Sequence, residues 1–140
     1  MQLQSIVDLP QLAIGYDADN EWLYVDWKGE HDPDTSQACC LLMLESLRAW
    51  PCSKILNDNS NIIRTTMQLR EWSMWWLEQM LEAGLQHLAW VLPRHLISRE
   101  GTEAAVRVIA RPHVATFDDV ASAYVWLQQR PPVQPCPLGS

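Results

Sequence analysis

Apolar side chains recur with a period of two near the start of the chain and with a helical period further on. Over residues 11–17 Leu12, Ile14 and Tyr16 alternate with other positions, and over 20–29 Trp22 and Tyr24 do so beside Leu23, Val25 and Trp27. A period of two belongs to a strand. Asp17-Ala18-Asp19-Asn20 is a turn cluster between the two stretches, so they predict an antiparallel hairpin, with Gly29 closing its second strand. Asp32-Pro33 then reads as a helix cap followed by proline in the first turn. Ala38, Leu41, Leu42, Leu44 and Leu47 continue at near-helical spacing, which predicts a helix over about 33–49, stopped by Pro51. Residues 53–58 predict a short strand and 57–61 a loop. Thr65 and Gln68 have capping-box spacing for a second helix ending at Gly84, with Leu69, Trp72, Trp76, Leu77, Met80 and Leu81 as its apolar stripe. A fourth strand is expected at 87–92, a short helix at 102–110, a fifth strand from His113 to Phe117, and a last helix capped by Asp118 and ending near Gln129. The order is β-β-α-β-α-β-α-β-α, an α/β sheet with parallel neighbours and about four packed helices. One domain over 1–130 is expected, with a flexible proline-rich tail at 131–140.

Composition narrows the class. A chain of 140 residues, 48% of them hydrophobic, can bury one core without disulfides or a metal. Eight tryptophans against one phenylalanine predict a bulky core with indoles at its edges. Residues 1–60 hold seven Asp, three Glu, two Lys and one Arg, and so carry the whole net charge of −7. No basic face dominates, which argues against nucleic acid and against an anionic membrane surface. Cys39, Cys40, Cys52 and Cys136 form no CxxC pair, so neither a disulfide framework nor a zinc knuckle is expected. The first ten residues lack the basic start and long apolar stretch of a signal peptide, and no apolar run approaches a membrane span, so a cytoplasmic protein is expected.

Four stretches carry a family resemblance. They are Trp22-Leu23-Tyr24-Val25-Asp26-Trp27-Lys28-Gly29; Lys54-Ile55-Leu56-Asn57-Asp58; Glu71-Trp72, Trp76 and Ala83-Gly84 running into Leu88-Ala89-Trp90-Val91-Leu92-Pro93; and Phe117-Asp118-Asp119-Val120 with Ala123, Trp126 and Leu127. In this order, over about residues 11–129, they resemble the SpoIIAA-like group of STAS domains, and more closely the bacterial STAS/SEC14-like proteins. The resemblance implies a SpoIIAA-like mixed five-stranded sheet with helices and a role in protein–protein or small-ligand recognition. Anti-sigma-factor antagonists of this family are phosphorylated on a serine in the motif Asp-Ser-Ser/Thr-Gly-Leu after the third strand. The matching stretch here is Asp58-Asn59-Ser60-Asn61-Ile62, which has no glycine and a single serine.

Asn57, Asp58, Asn59, Ser60 and Asn61 therefore form the candidate regulatory or partner-binding loop. Between a strand and a helix, backbone N–H groups can face an anion, and the carboxyl ends of strands are where open α/β sheets bind ligands. The same residues also simply make good turns. Trp72, Trp75 and Trp76 are candidate aromatic contacts. Positions 72 and 76 share a helix face, while Trp75 points partly elsewhere and is expected to be the exposed one. Core packing is the plainer use of most of these indoles. His31 with Asp32 and Asp34, and His95 with His113, lack metal-site spacing and read as surface histidines. Cys39-Cys40 reads as buried, and Glu71 with Glu78 as a solvated helix face. No Gly-x-Ser-x-Gly elbow or glycine-rich phosphate loop occurs, so no catalytic residues, metal or cofactor are expected. The expected function is that of a non-catalytic regulatory or adaptor domain binding a protein partner. Pairing into a homodimer through an exposed apolar helix face is a further expectation. The alternative is a carrier of a small apolar or lipid-like ligand, as the SEC14 resemblance and the tryptophans and methionines near the second helix suggest.

Overall fold

The computed structural model describes residues 2–65, 71–94, 96–107 and 109–131. In chain order the elements are β1 (Leu3–Asp8), β2 (Leu12–Asp17), β3 (Trp22–His31), α1 (Pro33–Ala49), β4 (Lys54–Thr65), α2 (Glu71–Glu82), β5 (His87–Val91), α3 (Leu96–Arg107), β6 (His113–Phe117) and α4 (Val120–Gln128). The strands form one sheet in the order β1-β2-β3-β4-β5-β6. β1, β2 and β3 pair antiparallel, whereas β3 to β6 pair parallel, so β3 is where the direction of pairing changes.

The hairpin is held by its own turn. The Asp17 carboxylate accepts from the backbone N–H groups of Asp19 and Asn20 at 3.1 and 3.2 Å and from the Asn20 amide at 2.8 Å. Helix α1 begins as its sequence requires: Asp32 accepts from the Thr35 N–H at 2.7 Å, with proline in the first turn. Helix α2 ends at Gly84, whose φ of +110° lets the Leu85 N–H reach the Met80 carbonyl and its own N–H the Leu81 carbonyl, each at 3.0 Å.

Helices cover the two faces of the sheet unequally. On one face Leu12, Ile14, Leu23, Val25, Ile55 and Leu88 pack with Met43 and Leu47 of α1, with Trp76, Leu77 and Met80 of α2, and with Val106 of α3. On the other, Trp22, Leu56, Ala89 and Val91 pack with Ala123 and Leu127 of α4. Each fully buried aliphatic side chain contributes about 1.5–3 kcal/mol over its exposed state.

The sheet has six strands, not five. The extra one, β1, is an edge strand whose first three residues are exposed and none of whose residues is fully buried, so it carries no buried-face alternation to read. Its backbone is satisfied by β2, and Leu3 lies over Gly15, where an added Cβ would come within 2.9 Å of it. Three further boundaries differ. β4 runs on to Thr65, α3 spans Leu96–Arg107, and the cap of α4 is Asp119, which accepts from the Ser122 N–H at 2.7 Å. Adjacent aspartates at 118 and 119 offer equal capping chemistry in sequence, and only backbone geometry separates them. Gln68, Leu69, His95 and the tail at 132–140 lie outside the described residues.

Candidate functional site

β4 carries its apolar residues first and its polar ones after. Ile55 and Leu56 are followed by Asn57, Asp58, Asn59, Ser60 and Asn61, all within the strand. The expected loop at 57–61 is therefore strand, and no helix begins directly after it. The reason lies in β3, which is long enough to keep pairing with β4 as far as His31 and Thr65. Register steps from Asp26↔Asp58 to Lys28↔Asn61 and from Gly29↔Ile62 to Glu30↔Arg64. β4 thus carries an extra residue in each interval, and such bulges keep a strand paired while re-aiming its side chains.

Alternation divides the polar run between the two faces. Asn57 accepts from the Trp27 indole N–H at 2.8 Å and is buried on the α1–α2 face. The Asn59 amide oxygen is buried and has no hydrogen-bond partner. Asp58 points the other way and is 2% exposed. It accepts from the Tyr24 hydroxyl at 2.5 Å, from the Ser60 N–H at 2.9 Å and from the Ser60 hydroxyl at 2.6 Å. Hydrogen bonds to an ionised acceptor are short and strong, which offsets the cost of burying the carboxylate. Asp26 stands opposite Asp58 in register and accepts from the Asn61 amide at 3.0 Å.

The electrostatics follow from this crowding. Burial, then the hydrogen bond to Asp58 and repulsion by that carboxylate, hold the Tyr24 hydroxyl far above the ordinary phenol pKa. Tyr24 therefore serves as a donor. Burial foremost, with repulsion from Asp58, raises the Asp26 pKa, while the Asn61 hydrogen bond and Lys28 act the other way. A cavity of about 200 Å³ lies over Ala13, Gly15, Tyr24 and Asp26, walled by Leu3 and Val7, on the part of the sheet beyond α4. Bound to a carboxylate, the Ser60 hydroxyl is oriented rather than activated, since a carboxylate is far too weak a base to hold its proton. Tyr24 and Asp26 were not among the sequence-derived candidates. Nothing marks them before the β3–β4 register is known.

The aromatic candidates separate by burial. Trp76 is 6% exposed and donates its indole N–H to the Cys40 carbonyl at 2.8 Å, so it belongs to the core and is not a contact residue. Trp72 is half-buried against that core, and its ring lies 6.0 Å from that of Trp75. Trp75 is 45% exposed. His31 is buried rather than on the surface, its ring 5.0 Å from Trp27 and a ring nitrogen 2.9 Å from the Lys28 carbonyl. Burial raises the Cys39 thiol to about 11 and Cys40 further still. Among the described residues no group of three His, Cys, Asp or Glu side chains could hold a metal ion, and no helix is long and apolar enough to cross a membrane.

No known protein family matches the chain, and neither does any curated protein. Among solved structures it is similar to an uncharacterised DUF3478-family protein with a SpoIIAA-like fold from Shewanella loihica PV-4. The identity is 18% and the TM-score 0.53, over 87% of this chain and 98% of the other. The chain has a SpoIIAA-like fold. Within that fold Asp58, hydrogen-bonded to Ser60 and to Tyr24 of β3, lies with Ser60 in the stretch that resembles the phosphorylation motif, here held in strand β4.

Proposed function

We propose that this SpoIIAA-like domain is a non-catalytic, cytoplasmic regulatory or adaptor module that binds a protein partner through the end of β4 and the exposed side of α2. The observation that carries this reading is three large apolar side chains left to solvent there: Ile63 is 65% exposed, Met74 51% and Trp75 45%. Large exposed apolar groups are the usual anchors of a protein interface. Ser60 lies three residues before Ile63, and its hydroxyl is already tied to Asp58. A phosphate there would add about −1.5 to −2 charge beside two carboxylates, breaking the Ser60–Asp58 bond and repelling an acidic partner. The lipid-carrier alternative has less support, because Trp76 fills the core instead of lining a cavity.

The test is affinity capture and cross-linking with wild-type, Trp75→Ala, Ile63→Asp and Ser60→Asp proteins. A specific protein should be retained by the wild type and lost by about tenfold with Trp75→Ala or Ile63→Asp, the loss of one interface anchor. Ser60→Asp should weaken retention as well. A partner held equally by all four proteins, or none held by folded wild type, would overturn the reading.

A further inference from the structure

Lys54, His87 and His113 are the first residues of β4, β5 and β6, and they share one register, Lys54 opposite His87 and His87 opposite His113. Residues in parallel register project from the same face. It is the face bearing Leu56 and Ala89, under α4. The Trp126 ring of α4 lies 6.3 Å from that of His87 and 5.3 Å from that of His113. Just past α4, the Arg130 guanidinium sits 4.7 Å over the same indole, and its Nε donates to the Trp126 carbonyl at 3.2 Å. The Lys54 ammonium lies 6.0 Å from the centre of the Trp22 ring.

Four basic side chains thus gather at one edge of a chain whose net charge is −7. Lys54 is only 8% exposed. Burial, and after it the Arg130 charge, push its pKa down, and among the described residues no carboxylate acts to raise it. His87 is pushed down the same way, by burial and then by His113, Lys54 and Arg130. The His87 Nδ1 is buried without a hydrogen-bond partner. A cavity of about 570 Å³ opens beside the two histidines, with Gln86, Arg111 and Pro112 in its lining. A buried cation among other cations, with no acidic partner among the described residues, is costly unless an anion completes it.

We infer that this row binds the phosphoryl group of a small phosphorylated compound. Lys54 and Arg130 supply two positive charges, matching a phosphate monoester dianion, whereas a monocarboxylate would neutralise only one. The imidazoles add N–H donors, and the half-buried Trp126 ring offers an apolar wall to the organic part. The site lies at the opposite end of β4 from Ile63, so its fate is separate from that of the partner-binding surface.

The full chain is titrated with inorganic phosphate and with phenyl phosphate at constant ionic strength, followed by tryptophan fluorescence and calorimetry. Saturable binding of both is expected. Lys54→Met keeps the side-chain volume and removes the charge. It should weaken binding by about tenfold or more while raising Tm, a combination that a merely structural lysine would not give. Arg130→Gln, at a half-buried position, should weaken binding in the same way. The inference is overturned if wild type shows no saturable phosphate binding, or if folded Lys54→Met and Arg130→Gln bind as wild type does.

Discussion

At Asp26 and Asp58 two carboxylates face each other across parallel strands, and their surroundings treat them differently. Asp58 is surrounded by donors from Tyr24 and Ser60, while Asp26 receives one amide hydrogen bond from Asn61. Because burial and Asp58 raise the Asp26 pKa, the folded state binds more protons there than the unfolded state does. Stability is therefore lost as pH rises from the ordinary value of 3.8 through the raised one. Asp26→Asn keeps the oxygen that accepts from Asn61 and removes the charge. It should stabilise the protein at neutral pH by no more than about 1 kcal/mol, since Asp26 is half-exposed and water screens the repulsion. Below pH 3.8 the gain should vanish, which urea melts at several pH values would show. Of this cluster, Asp58, Ser60 and Asn61 were legible in the sequence as a polar run after an apolar strand. Tyr24 and Asp26 were not, because their meeting with Asp58 depends on register alone.

Among the elements, the helix ends are where local sequence decides most. Asp32, Pro33 and Gly84 act where their chemistry predicts, since a cap or a left-handed stop needs only nearby atoms. At Gly84 an added Cβ would meet no backbone atom closer than the Cys52 carbonyl oxygen at 3.7 Å, so only the positive φ resists substitution. Gly84→Ala should thus cost about 1–2 kcal/mol, the strain of a side chain in that conformation, measurable as a lower denaturation midpoint with an unchanged m-value. The strands were less legible. β4 extends past its apolar half because β3 offers hydrogen bonds to its polar half, and β1 exists because β2 has a free edge. Both effects come from the partner strand, not from the segment itself.

For the molecule as a whole, one sheet lies between two cores, and the transition should reflect that. Leu47 on the α1 side and Leu127 on the α4 side are both fully buried. Leu47→Ala and Leu127→Ala should each cost about 2–5 kcal/mol, and because both cores share β3, β4 and β5 each variant should still unfold in a single transition seen alike by fluorescence and circular dichroism. Periodicity alone determined the α/β class, the succession of elements from β2 onward and the placing of most tryptophans in packed seams, since burial follows from pattern. Tertiary structure alone decided which polar residues meet. Asp26 with Asp58, and Lys54 with His87 and His113, come from separate strands, and no local rule of sequence fixes the pairing that brings them side by side.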